Sequence, residues 1–254
     1  MKKIMERELG VLSLVAVAVL LAMIGTSQVF ADTLQASFYS VVPGTADFQQ
    51  KGIDGGAVTG LVQSTLGTDG LPVVSSFGAS YSGPSGAITD VNSAGELQWW
   101  TPGNGVTFLS SQTTTLPLND PSNLFVPGQS SDSSAFLTAD WKGTFALNSP
   151  QTVTLNLGSD DDAWVFIDGN LVDDDGGIHA LNTTPQTTAT LVAGSHTLDI
   201  FWADRHTVQA GIVFSANVPL QASTPEPSSF VLFGTALMGL AMLFYKRQTA
   251  KAEC

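Results

Sequence analysis

The chain has 254 residues, 22 acidic against 9 basic side chains, and a formal net charge of −13. That balance argues against nucleic acid as a partner, because neutralising phosphates needs clustered lysine and arginine. The single cysteine, Cys254, stands near the C-terminus, so no disulfide can staple the chain internally.

The first predicted element is a secretory signal helix. A short charged start leads into an apolar run from Val11 to Ile24, and Val29-Phe30-Ala31 places small residues where a signal peptidase reads. Cleavage is expected after Ala31, and an uncleaved N-terminal anchor is the alternative. Residues 32–223 follow, about 190 residues, which suits one domain with a sizeable core. Their basic residues are Lys51, Lys142 and Arg205 alone.

From Gly44 to Trp100 the sequence is Gly- and Ser-rich with scattered apolar clusters. It reads as long loops, with a helical turn or two near Gly60 to Leu66. Trp99 and Trp100 are adjacent, so one is expected to face outward, where it could stack on a sugar ring; the other reading places both in the core. Strands follow. Ala135–Leu147 and Ala210–Val218 are rich in aromatic and branched residues. "QTVTLNLG" and "HTLDIFW" alternate apolar and polar residues with the period of a half-buried strand. The predicted fold class is all-β, a β-sandwich with long Gly/Ser-rich loops, flanked by the signal helix and a C-terminal transmembrane helix.

Between these strands lies "SDDDAWVFIDGNLVDDDGGIHA", Ser159 to Ala180. Trp164-Val165-Phe166-Ile167 is apolar on both faces and predicts a central strand covered on both sides. Asp168-Gly169-Asn170 is turn chemistry, and Leu171-Val172 returns. A tight hairpin results, and its open ends bring Asp160, Asp161, Asp162 and Asp173, Asp174, Asp175 to one edge. Two carboxylates 4 Å apart repel by about 1 kcal/mol in water and about 4 kcal/mol at an effective dielectric of 20. Only Arg205 is available to offset them. A hard divalent cation would do so, and an all-oxygen donor set points to calcium rather than zinc or copper. A solvated acidic loop is the alternative. Neither an EF-hand loop nor a Gly-Gly-x-Gly-x-Asp repeat is present.

The last predicted element, residues 224–254, begins with Pro225-Glu226-Pro227. An apolar span over about 228–245 follows, then Lys246-Arg247 on the cytoplasmic side. A plain membrane anchor would show the span and the basic flank. The ordered combination resembles the PEP-CTERM sorting signal, which implies export, a membrane-inserted intermediate, cutting by an exosortase-type membrane protease, and a final place at the cell surface or outside.

"GSDDDAWVFIDGNLVDDDGGIHA" followed by "GSHTLDIFWADRH" resembles the fibro-slime domain, a relative of the protective-antigen and flocculin type of β-sandwich. In the sugar-binding members of that larger family, two consecutive aspartates joined by a cis peptide hold calcium, and the calcium binds sugar hydroxyls. Carried over, the resemblance implies Asp160-Asp161 as that pair, with Asp162 beside it as a further metal ligand. Asp174, His179, Trp99 and Trp100 are the candidate ligand-binding residues, with His179 as a site wall or a partner of Asp174. This chain departs from the fibro-slime pattern at Asp173-Asp174-Asp175, where the family has Val-Asp-Leu. The expected function is an exported, calcium-dependent, carbohydrate-binding protein acting on a glycan or exopolysaccharide. The alternative is a structural or adhesive surface protein in which calcium only stabilises the fold.

Enzymatic readings are weaker. His179, His196 and His206 lack tight zinc-ligand spacing. A glycoside hydrolase needs two opposed carboxylates, and glutamate is nearly absent from the central region. No G-x-S-x-G elbow occurs.

Overall fold

The structure, a computed structural model, describes residues 32–48 and 52–222. The expected signal segment, the Pro225-Glu226-Pro227 motif, the span and Lys246-Arg247 lie outside the described residues. Among the described residues there are fourteen strands: β1 Thr33–Val41, β2 Val62–Leu66, β3 Pro72–Val74, β4 Val106–Thr115, β5 Leu118–Asp120, β6 Phe136–Leu147 and β7 Gln151–Asp160 come first. They are followed by β8 Asp162–Ile167, β9 Asn170–Asp175, β10 Asn182–Thr183, β11 Thr187–Leu191, β12 Gly194–Ala203, β13 Gly211–Ala216 and β14 Gln221–Ala222. The helical turn expected near Gly60 to Leu66 is instead strand β2, and the described residues contain one 3-10 turn, Gly78–Ser80. Val62 and Leu66 pair with β3, and Thr65 pairs with Asn170 of β9, so the tertiary ladder overrides a weak local helical signal.

The strands form two antiparallel sheets. The larger runs β3-β2-β9-β8-β12-β6-β1-β4, with β14 also on β6; the smaller runs β10-β7-β13-β5, with β11 also on β7. The four strands read from the sequence correspond to β6, β7, β12 and β13, and their alternation fits the packing. Val153, Leu155 and Leu157 of β7 face Leu198, Ile200 and Trp202 of β12 in one core between the sheets.

β8 explains why the chain has a second core. All six of its residues are buried. Ala163, Val165 and Ile167 point into the inter-sheet core, while Trp164 and Phe166 point the other way. That outer face is covered by the Gly- and Ser-rich first half, which brings Phe48, Leu61, Ile88, Leu97, Trp99 and Trp100 down onto it. The long loops are thus a third layer with its own core rather than decoration. Both Trp99 and Trp100 are buried, at 0% and 3% exposure. The expectation that one would face outward is therefore corrected. Trp100 Nε1 donates to the Trp202 carbonyl at 3.1 Å and Trp99 Nε1 to Asp47 at 3.1 Å, so both indoles are satisfied inside.

Buried carboxylates fasten this third layer where a disulfide is impossible. Asp47 accepts from the Thr89 and Asp90 amides, the Thr89 hydroxyl and Trp99. Asp54 accepts from Tyr81, Ser85 and Ile178, and Glu96 from the Asp69 amide and Asn92.

Candidate functional site

Sheet topology creates the site. At one end of the sandwich the chain crosses between the sheets four times: β5 to β6, β7 to β8, β9 to β10 and β12 to β13. The registers put these crossings side by side, since Asp160 pairs with Gly211, Asn182 with Ser159, Asp175 with Ala163 and Ala203 with Asp162. Each crossing contributes functional groups: Asp132 from the first, Asp160-Asp161-Asp162 from the second, His179 from the third, Asp204-Arg205 from the fourth. The Asp160–Asp161 peptide, where the chain leaves the small sheet for the large one, is cis, as the family resemblance implied.

The six aspartates expected at one edge do not act as one cluster, because alternate strand residues face opposite sides. Asp174 points to the third layer, where its carboxylate accepts from Trp164 Nε1 at 2.9 Å and the Gly60 amide at 2.7 Å. Its expected part in ligand binding is thus displaced by a structural one. Asp175 accepts from the Ser159 amide and hydroxyl, at 3.0 and 2.8 Å. With its amide oriented for donation, Asn182 adds bonds of 2.9 and 3.1 Å. Burial, the first cause, raises the Asp175 pKa to about 6.

Asp162 is also committed. Arg205 grips it through both Nε, at 2.7 Å, and Nη2, at 3.1 Å, while the Gly177 amide donates at 2.6 Å. Both side chains are fully buried, and the guanidinium lies 4.9 Å from the centre of the Trp99 ring. Such a forked pair is strong and directional. The buried guanidinium already neutralises Asp162, whereas Asp161 is held only by backbone amides, so Asp162 drops from the expected metal ligands. Arg205 does reach into the acidic end, as the composition suggested, but it neutralises one carboxylate of that end.

What remains is a smaller and different set. Asp160 and Asp161 are 4% and 1% exposed. Asp161 accepts from the His179 amide at 3.2 Å and the Arg205 amide at 2.7 Å. Burial and then the neighbouring charges of Asp162 and Asp160 push its pKa well up, and burial raises Asp160 to about 6. Asp132 and Asp204 complete the set, and sequence reasoning missed both. Each is buried, and each has one carboxylate oxygen, Oδ2, without a protein partner. Burial is the main cause raising the Asp204 pKa, followed by the charges of Asp161 and Asp132, with Asp160 also contributing. Asp204 stands in the "WADRH" motif, a signal that could have found it; Asp132, in the Ser-rich "SSDSSA", had no local signal.

His179 is buried beside this set, with Nδ1 against the Ala180 carbonyl at 3.0 Å and Nε2 3.5 Å from Asp175. Its neighbour is thus Asp175, not Asp174. His196 lies at the other end of β8, bonded to Asp168, so the histidines form no triad. Among the described residues no three His, Cys, Asp or Glu side chains already stand in a metal-binding arrangement. The donors nonetheless fit a hard cation: four buried carboxylates on converging crossings, all oxygen, with two orphaned oxygens and with Arg205 turned away onto Asp162.

Residues 104–228 match the PA14 domain. That match begins just before β4 and contains all four crossings. Residues 223–247 match the PEP-CTERM protein-sorting motif, a signal of exported, cell-surface proteins, and the chain is exported accordingly. Among curated proteins, psiD of Dictyostelium discoideum is 31% identical over 212 residues, covering 75% of this chain and 42% of psiD. The psiE protein of the same organism is 41% identical over 66 residues, 25% of this chain and 13% of psiE. The chain thus spans less than half the length of these relatives. Solved structures similar to it include a PA14 sugar-binding domain from an RTX adhesin, at 16% identity, TM-score 0.36, and 74% and 91% coverage of the two chains. The PA14 domain of the MpAFP antifreeze protein is another, at 12% identity, TM-score 0.39, and 80% and 97% coverage.

Proposed function

We propose that this exported protein binds glycans at the cell surface through a calcium ion held by Asp160 and Asp161, with Asp132 and Asp204 supplying further oxygens. The carrying observation is the pair of orphaned buried oxygens, Asp132 Oδ2 and Asp204 Oδ2, on crossings adjacent to the one that carries Asp160 and Asp161. Buried carboxylates without partners are costly, and a cation of matching hardness removes that cost. The bound ion would supply Lewis-acid coordination for vicinal sugar hydroxyls. The chain's own residues fix the site: Arg205 and His179 donate backbone N–H groups that orient Asp161, and the Asp162–Arg205 pair locks the crossing behind it. The PA14 match and the fibro-slime motifs agree with this reading. The PEP-CTERM match agrees with processing by an exosortase-type protease, releasing or transferring the protein at the surface.

A second reading has its own support. Asp161 already ties two crossings together, so calcium there would staple the fold even with no glycan bound. Calcium titration followed by a glycan array in calcium and in chelator separates the two. Calcium at about 100 times its dissociation constant should add about 2.7 kcal/mol, a rise of several degrees in midpoint. Asp160→Asn and Asp204→Asn should lose that rise. No calcium response in the wild-type protein would remove both readings. A response with no calcium-dependent glycan would leave the stapling role.

A further inference from the structure

Among the described residues most sheet edges are blunted, and one is not. β3 has three residues, starts with Pro72, and is covered by the 95–97 segment through the Val74 amide to Gly95, the Leu97 amide to Pro72 and a bridge from Val73 to Glu96. β5 has three residues and is bracketed by Pro117 and Pro121. β10 has two and β11 five. Short length, proline and covering segments are the usual protections against edge pairing. β4 is ten residues long, VTFLSSQTTT, with neither proline nor charge. Among the described residues its only strand partner is β1, apart from a bridge from Val106 back to Gly103. A single bulge at Leu109, opposite the Phe38/Tyr39 step, is its one irregularity, and Ser110–Thr115 run on in regular register.

β4 also overhangs the sandwich. Val106 is buried, but the next seven residues, Thr107 to Thr113, are exposed without a break on both faces. Phe108 and Leu109 are 47% and 36% exposed. A β-branched strand with water on both faces and one open ladder has the chemistry of a pairing edge.

Charge decides what it pairs with. The chain carries a formal −13, so two copies repel over most of their surfaces. β4, the edge strand, and β1 beside it hold no charged residue across Val106–Thr115 and Thr33–Val41. This is the side on which a second copy of an acidic protein can approach closely. An antiparallel strand edge is also self-complementary under a two-fold axis. We propose that β4 pairs antiparallel with β4 of a second copy, joining the two large sheets into one, with Phe108 and Leu109 adding apolar contact. One strand pair buries less than the roughly 1,000 Å² expected of a stable interface. The pairing is therefore weak in dilute solution and favoured where copies are crowded, as on a surface.

Hydrogen exchange on the full chain tests this, read on the amides of residues 106–115 as protein concentration rises on the order of a hundredfold. The wild-type protein should show about tenfold or greater slowing at alternate amides with concentration. Ser110→Lys combined with Gln112→Lys, both at exposed positions, should abolish the slowing while leaving exchange in β8 and β12 unchanged. Protection that is present but independent of concentration would mean that another segment of the same chain covers the edge. Fast exchange at every concentration would mean an open edge. Either result overturns the proposal.

Discussion

Arg205 is fully buried, and its guanidinium has Asp162 on one side and the Trp99 face on the other. Deleting one partner of such a pair strands a charge in low dielectric and typically costs about 3–5 kcal/mol. Arg205→Met should therefore lower the urea-unfolding free energy by about that amount. Arg205→Met with Asp162→Asn should recover part of it, and a double variant no better than the single would argue against the pair as the cause. At the far end of β8, His196 faces two acceptors, Asp168 Oδ2 at 2.6 Å from Nδ1 and the Val192 carbonyl at 3.0 Å from Nε2. Both ring nitrogens donate only in the cation, and these bonds raise the His196 pKa, the Asp168 bond first. Because the folded value is the higher one, the stabilisation is complete below the ordinary histidine value and lost as pH rises through the folded value. The melting difference between wild type and His196→Gln should be largest near about pH 5 and shrink above about pH 7. A difference independent of pH would place its origin in packing on Phe145 instead.

The hairpin β8–β9 was legible because its signals are local. The four-residue apolar run has to be buried on both faces, and Asp168 and Gly169 take positive φ, 51° and 72°, in the two-residue turn that Asp-Gly favours. The four inter-sheet strands were legible for the same reason. What the hairpin's carboxylates do was not legible, because that depends on which partners arrive from distant crossings. Asp162 is 43 residues from Arg205, and Asp174 is 114 from Gly60. The third layer was missed as a layer because its apolar residues follow no period; irregular loops held by single buried acids leave no repeat to read. Asp47 shows what holds them. Asp47→Ala would leave several buried donors unsatisfied at about 1–3 kcal/mol each. The expected loss is about 3 kcal/mol or more in urea unfolding, with Trp99 fluorescence shifted toward a wetter environment. Asp47→Asn, which keeps an acceptor oxygen, should lose distinctly less. Equal losses would mean that charge, not acceptance, holds the layer.

At the scale of the molecule, two electrostatic effects have to be told apart before calcium is assigned a site. A chain with a formal charge of −13 repels itself, and any cation relieves that by screening. Sodium chloride alone should therefore raise the unfolding midpoint, and should do so equally in the wild-type protein and in Asp160→Asn and Asp204→Asn, since one charge in this total changes the general repulsion little. The screening length falls to about 8 Å near 0.15 M and about 3 Å at 1 M salt, so the general effect saturates. Coordination by buried carboxylates is screened far less. Calcium added in high salt should still raise the wild-type midpoint by several degrees. In the same salt it should do nothing to the two variants. Magnesium, smaller and more strictly octahedral, should act more weakly at converging loops of this kind. A calcium effect that disappears in high salt would show that the ion had been acting on the whole acidic surface, leaving the orphaned oxygens of Asp132 and Asp204 to be satisfied by protonation, the direction in which burial already pushes both.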